Sequence, residues 1–145
     1  MRRLLREPLG AFGLALVLVV IFGAVFAELL TSYDPTRINP RDRFLPPSGD
    51  HLLGTDQLGR DLFTRVLYGG QIALYVALVS TAISLAIGIV LGLIAGYGPR
   101  WLDNFMILLF DAMKSFPTVM LALALVTIVG PSLTAVIIVV ILVNV

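Results

Sequence analysis

The run QIALYVALVSTAISLAIGIVLGLIAGY, from Gln71 to Tyr97, contains no charged side chain and no proline. A helix needs about 20 predominantly apolar residues to cross the hydrocarbon core of a bilayer. The run is long enough to do so, and its reading decides the fold: a helical, membrane-spanning chain. Within it Ser80, Ser84, Gly88, Gly92 and Gly96 recur every four residues. On a helix that spacing draws one slowly drifting stripe of small residues. Lipid gives no hydrophobic drive for helix association, so spans associate where small residues let backbones approach. The stripe is therefore expected to be a helix-packing face.

The composition agrees. Of 145 residues, 59% are hydrophobic and 13% are charged, and the mean hydropathy is +1.01. Soluble domains carry about 25% charged residues. The net charge of +1 and the lack of a basic patch give no reason to expect a nucleic-acid partner. There is no cysteine, so disulfide frameworks and thiolate metal sites are excluded. The single histidine, His51, excludes a His-rich metal cluster and is read as an ordinary loop residue.

Upstream, Leu9 to Ala27 is uncharged and preceded by Arg2, Arg3 and Arg6. That pattern fits a first span with a cytoplasmic N-terminus. A cleaved signal peptide is the rival, with Val25-Phe26-Ala27 as its processing site, but the apolar run exceeds the usual core of about 7–15 residues. Glu28 to Gly70 is the long polar segment, broken at Asp34-Pro35, Asn39-Pro40 and Pro46-Pro47-Ser48-Gly49. It is expected outside, with Ser32 to Leu53 irregular. Its five arginines (Arg37, Arg41, Arg43, Arg60 and Arg65) run against that orientation. They are dispersed over a long loop, whereas three crowd the first six residues.

The end of this loop is a charged, glycine-punctuated block: Gly54-Thr55-Asp56, Gly59-Arg60-Asp61, then Leu62-Phe63-Thr64-Arg65 and Gly69-Gly70. Asp56 suits an N-cap, because its carboxylate can accept orphan amide hydrogens of a first turn. Leu58, Leu62 and Val66 fall at i, i+4 and i+8. Asp61 and Arg65 form an i,i+4 pair, and Gly69-Gly70 can end a helix. The block predicts a short amphipathic helix at the membrane surface or against neighbouring spans. It is no phosphate loop: Gly54-x-x-x-x-Gly59-Arg60-Asp61 lacks the Gly-Lys-Ser/Thr ending.

Downstream, Gly98 to Asn104 reads as a turn that makes the flanking spans antiparallel neighbours. Phe105 to Val129 reads as a third span containing Asp111, Lys114 and Pro117. Charges inside a span cost about 2.5–3.5 kcal/mol each on insertion scales. Asp111 and Lys114, at i,i+3, can pair. Pro117 frees the carbonyl of Met113 and kinks the helix, and Ser115 can help satisfy the freed backbone. Asp111, Lys114, Ser115 and Pro117 are thus candidates for lining a translocation path. The bland alternative is a paired charge near the cytoplasmic end, with the lysine reaching for headgroups. Leu133 to Val145 begins a fourth apolar segment too short to cross, so the chain reads as incomplete. No catalytic constellation is present.

Taken together, these residues resemble the C-type inner-membrane permease subunit of ABC importers for dipeptides, oligopeptides and nickel. The resemblance rests on Leu53-Gly54-Thr55-Asp56, Gly59-Arg60-Asp61, Leu62-Phe63, Thr64-Arg65 and Tyr68-Gly69. Trp101-Leu102-Asp103, Asp111 and Ser115-Phe116-Pro117 extend it. Members of that family are longer, with further spans and a cytoplasmic loop that docks on the ATPase. The resemblance implies a multi-pass subunit of a bacterial or archaeal cytoplasmic membrane. It would work with a second permease subunit, two ATPase subunits and an extracytoplasmic solute-binding protein. No cofactor is expected in this chain, and ATP would be bound and hydrolysed on the partner subunits.

The expectation is therefore an all-α integral membrane fold with three complete transmembrane helices plus the start of a fourth. A short amphipathic helix precedes the second span. The segments are 1–52 (basic N-terminus, first span and outer loop), 53–70 (amphipathic helix) and 71–145 (an incomplete transporter core). A small membrane scaffold that binds partner helices through the Ser80–Gly96 stripe is the alternative.

Overall fold

The computed structural model describes residues 7–144. Arg2, Arg3 and Arg6, on which the orientation of the first span was argued, lie outside the described residues. The chain divides into two compact units, Met1–Leu74 and Tyr75–Val145. All regular elements among the described residues are helical.

In the first unit, α1 (Pro8–Val25) starts with a proline at its first position, where the missing N–H costs nothing. It is apolar on every side, with a mean hydropathy of 2.5, and it is long enough to cross a membrane. A break at Phe26 leads into one further turn, α2 (Ala27–Leu30). An irregular loop with a short 3₁₀ turn at Pro40–Asp42 follows. It leads to α3 (Leu62–Tyr97), a 36-residue helix that runs on into the second unit. Ala24 and Ala27 are buried. A Cβ placed on Gly70 would stand 3.1 Å from the Cβ of Ala24, and one on Gly23 would stand 3.1 Å from Leu67. The contact between α1 and the start of α3 is thus made by small residues at close backbone approach, as membrane helices require.

In the second unit, α3 ends at Tyr97. After Gly98-Pro99 come α4 (Arg100–Lys114), α5 (Thr118–Val129) and α6 (Leu133–Asn144). Helices α5 and α6 pack on each other. Gly130, at φ +90°, ends α5, and the Ser132 hydroxyl accepts the Ala135 amide at the start of α6.

Two sequence expectations are corrected. First, there is no separate amphipathic helix over 53–70. Helix α3 begins at Leu62 and passes through Gly69-Gly70 without ending, because Gly70 faces Ala24 instead of terminating a helix. Second, three complete spans plus the start of a fourth are not found. Among the described residues two helices, α1 and α3, are long and apolar enough to cross, or three if α4 and α5 count as one span. That pair is bent by 84°. Pro117 has no N–H to give to Met113, and the Met113 carbonyl instead accepts from Phe116 at 3.3 Å. The Ser115 hydroxyl donates to the Asp111 carbonyl at 2.8 Å, closing the frayed end.

Candidate functional site

The charged block folds into a locked loop at the foot of α3. Gly54 and Gly59 take φ of +74° and +72°, a left-handed conformation that L side chains rarely adopt. These two turns fold residues 54–61 back on 39–45. Asn39 N–H donates to the Leu58 carbonyl, Thr55 N–H to that of Leu45, and Phe44 N–H to that of Asp56. The buried Thr55 hydroxyl accepts the Leu45 amide at 2.8 Å and donates to the Asp42 carbonyl. The Asn39 amide group donates to the Asp42 carboxylate.

Two aspartates anchor the lock, each with a different partner set. Asp56 does not cap a helix. Its Oδ1 accepts the amides of Leu58 and Arg60, and its Oδ2 accepts both Nε and a terminal nitrogen of Arg60 at 2.7 Å. Arg65 Nε stands 3.9 Å from the same oxygen. The expected Asp61–Arg65 pair is therefore absent; the arginine leans toward Asp56 instead.

Asp61 is the true cap of α3. Its Oδ2 accepts both the amide and the hydroxyl of Thr64 at 2.7 Å. Its Oδ1 lies 3.0 Å from His51 Nδ1. The Thr64 hydroxyl lies 2.6 Å from that of Thr31, which in turn accepts the Tyr33 amide. The His51 ring sits 5.1 Å from that of Tyr33. A continuous polar chain, His51–Asp61–Thr64–Thr31–Tyr33, thus ties two separated pieces of sequence to one helix end. Asp61 and Thr64 are buried, so the two bonds between them are made out of water, while the links to His51 and Thr31 are part-buried. Sequence reasoning missed His51, Thr64, Thr31 and Tyr33. The spacing Asp61-x-x-Thr64 before an apolar run was the available signal.

The carboxylates are held ionised. The Arg60 side chain lowers Asp56 from 3.8 to about 2, with the Arg60 and Leu58 amides adding to it. Burial pushes Asp61 upward, but the Thr64 amide and hydroxyl and His51 outweigh it, and the net shift is downward. Thr36 holds Asp34 low through its hydroxyl and amide. A depressed carboxylate stabilises the fold above its unfolded value and loses that contribution as pH falls through the folded value. For Asp56 the window runs from about pH 4 down to about pH 2. Amide exchange across 54–62, corrected for intrinsic rates, is expected to lose protection in that window and to be flat between pH 5 and 7.

The second candidate region is the α4–α5 bend. A cavity of about 300 Å³ lies there, lined by residues including Leu109, Met113, Lys114, Phe116, Leu121 and Leu142. Of the four residues expected on a translocation path, Lys114 lines it; Asp111, Ser115 and Pro117 do not. Asp111 and Lys114 are both exposed, and no ion pair joins them. The small stripe is divided. Ser80 and Ser84 are buried, and the Ser84 hydroxyl donates to the Ile141 carbonyl at 3.4 Å. A Cβ at Gly88, Gly92 or Gly96 would meet no atom within 4 Å.

A polytopic helical membrane segment with a loop locked onto one helix end is the class these elements define. Comparison with known proteins makes it specific. Residues 1–47 match the family described as the N-terminal TM domain of oligopeptide transport permease C. The dipeptide transport system permease protein DppC of Alkalihalophilus pseudofirmus is 42% identical over 144 residues, covering 99% of this chain and 47% of that protein. DppC of Bacillus subtilis is 34% identical over 137 residues, covering 94% and 43%. The di/tripeptide permease DppC of Pseudomonas aeruginosa is 40% identical over 128 residues, covering 83% and 42%. Along most of its length the chain is similar to C-type permease subunits of peptide ABC transporters. It spans about half the length of the curated relatives it matches.

Proposed function

We propose that this chain supplies the N-terminal portion of the permease subunit of an ABC importer that carries peptides across the cytoplasmic membrane. The observation that carries the reading is the match to dipeptide permeases across nearly the whole chain, at 34–42% identity. The two apolar helices and the lock at the foot of α3 are compatible with that role. Transport would be driven by two ATPase subunits, with a second permease subunit and an extracytoplasmic binding protein completing the assembly. The chain itself would hold no catalytic site, and ATP would be consumed on its partners. The N-terminus would be cytoplasmic, which places the locked loop outside, where a solute-binding protein docks. Gly54, Thr55, Asp56, Gly59, Arg60, Asp61 and Arg65 would serve that surface by keeping the loop rigid. Asp111, Lys114, Ser115 and Pro117 would stand at the aqueous mouth of the path. Pull-down of the tagged subunit from its native membrane is expected to bring a second permease and an ATPase with it. Recovery of the subunit alone would count against the assembly.

In this reading the open Gly88–Gly96 half of the stripe packs against a partner helix. Gly92→Leu is expected to abolish co-purification of the second permease while leaving the chain's own insertion unchanged. The neighbouring Leu93→Ala is expected to retain it, because bulk on the stripe blocks backbone approach. Equal recovery from both variants would remove the stripe as an interface.

A further inference from the structure

We infer that α4 is an interfacial helix, lying along the lipid headgroup boundary rather than forming the first half of a span. Its sequence differs in kind from the other long helices. At 3.6 residues per turn, Arg100, Asp103, Asn104, Asp111 and Lys114 fall within about 100° of one another, with only Ile107 among them. The rest of the circumference is apolar: Trp101, Phe105, Leu108 and Leu109 are 44–68% exposed, and Leu102, Met106 and Met113 are half-buried. Helices α1, α3, α5 and α6 have no such division and are apolar all round. A helix with one charged face and one bare aromatic and aliphatic face suits the plane of the membrane, with its apolar side sunk about 5–10 Å.

Three observations select lipid as the occupant of that bare face. Helix α4 starts three residues after Tyr97, the last residue of a spanning helix, so its start is held by the chain at the membrane surface. Tyr97 and Trp101, 90% and 68% exposed, are the residue types that settle at headgroup level. The 84° bend at Ser115-Phe116-Pro117 then turns the chain sharply, as required if α4 lies flat and α5 enters the apolar layer. On this view Asp111 and Lys114 are not buried charges. They face water and phosphates, and the insertion cost argued from a straight third span does not arise.

This stretch has no cysteine; any cysteine elsewhere in the assembly is first replaced by serine, so that a single label reports on α4. The test is a spin-label scan of positions 101–114. It is made in the subunit with its co-purifying partners, reconstituted in vesicles of phosphatidylethanolamine and phosphatidylglycerol. Immersion depth is read from oxygen against nickel-chelate accessibility, with labels at Leu85 and Leu93 of α3 as references for depth. The expected result is a depth that oscillates every 3.6 residues about a constant level. Labels at 105 and 109 would be immersed, and those at 103, 107 and 111 aqueous. A steady change in depth along the segment would overturn the inference in favour of a straight span. Exclusion of both reagents on the apolar side would overturn it in favour of a covering protein helix. The scan reads depth alone, so it is independent of whether the assembly transports peptides.

Discussion

Gly59→Ala is expected to open the loop lock. A Cβ there would overlap the Asn39 carbonyl oxygen and stand 2.7 Å from its carbon, both backbone atoms that cannot rotate away. The residue also sits at φ +72°, which costs an L side chain about 1–2 kcal/mol before any clash is counted. Relief requires residues 39–42 to move off the 54–61 turn, and with them goes the hydrogen bond from Asn39 to Leu58. Gly54→Ala meets the Leu45 carbonyl oxygen at 2.5 Å and should act in the same direction but less severely. Limited proteolysis of the loop in membrane vesicles reads the effect. Cleavage between 39 and 61 should be fastest in Gly59→Ala, intermediate in Gly54→Ala and slowest in the parent. Resistance in Gly59→Ala equal to the parent would mean that the turn is not what holds the loop.

Asp61→Ala should be the most damaging change of a charged side chain. It removes the cap of α3, worth about 0.5–2 kcal/mol. That cap is the bond from the Thr64 amide; beyond it, the buried Thr64 hydroxyl loses an acceptor and the half-buried His51 loses the oxygen 3.0 Å from its ring. An unsatisfied buried donor costs about 1–3 kcal/mol. The combined loss is expected at about 2–4 kcal/mol, read as loss of exchange protection at the first turn of α3. Asp61→Asn keeps one acceptor oxygen and should recover part of it. Asp56→Ala, which removes a half-buried pairing with Arg60 and frees the Leu58 and Arg60 amides, should still cost less than Asp61→Ala, whose partners are more deeply buried. The reverse order would show that the arginine pair, not the helix cap, anchors the block.

Much of the fold could be read from local pattern. The apolar runs gave α1 and α3, and Pro117 gave the break at Ser115–Pro117, because both effects act within a few residues. What misled was also local. Asp56 and Asp61 are equally good caps by residue type, and the choice between them is made by distant groups: Thr31, His51 and the 39–45 strip. Gly69-Gly70 looks like a helix end until Ala24 of α1 is seen against it. Arg65 faces Asp61 on a helical wheel, but Asp61 is already saturated by Thr64 and His51, so the arginine turns to Asp56. His51 had no local signal at all, since its partner lies ten residues away across the fold. At the bend, the i,i+3 spacing suggested a paired charge. An amphipathic helix leaves both Asp111 and Lys114 facing outward instead.

The central proposal is that this chain is part of a peptide-importing permease. The most direct measurement is energised uptake of a radiolabelled dipeptide, comparing cells that carry the gene with cells from which it is deleted, and with deletion cells complemented by Gly59→Ala. Uptake that vanishes on deletion, returns with the parent gene and is reduced with Gly59→Ala is the predicted result. Undiminished uptake of every dipeptide tried in the deletion strain would contradict the claim.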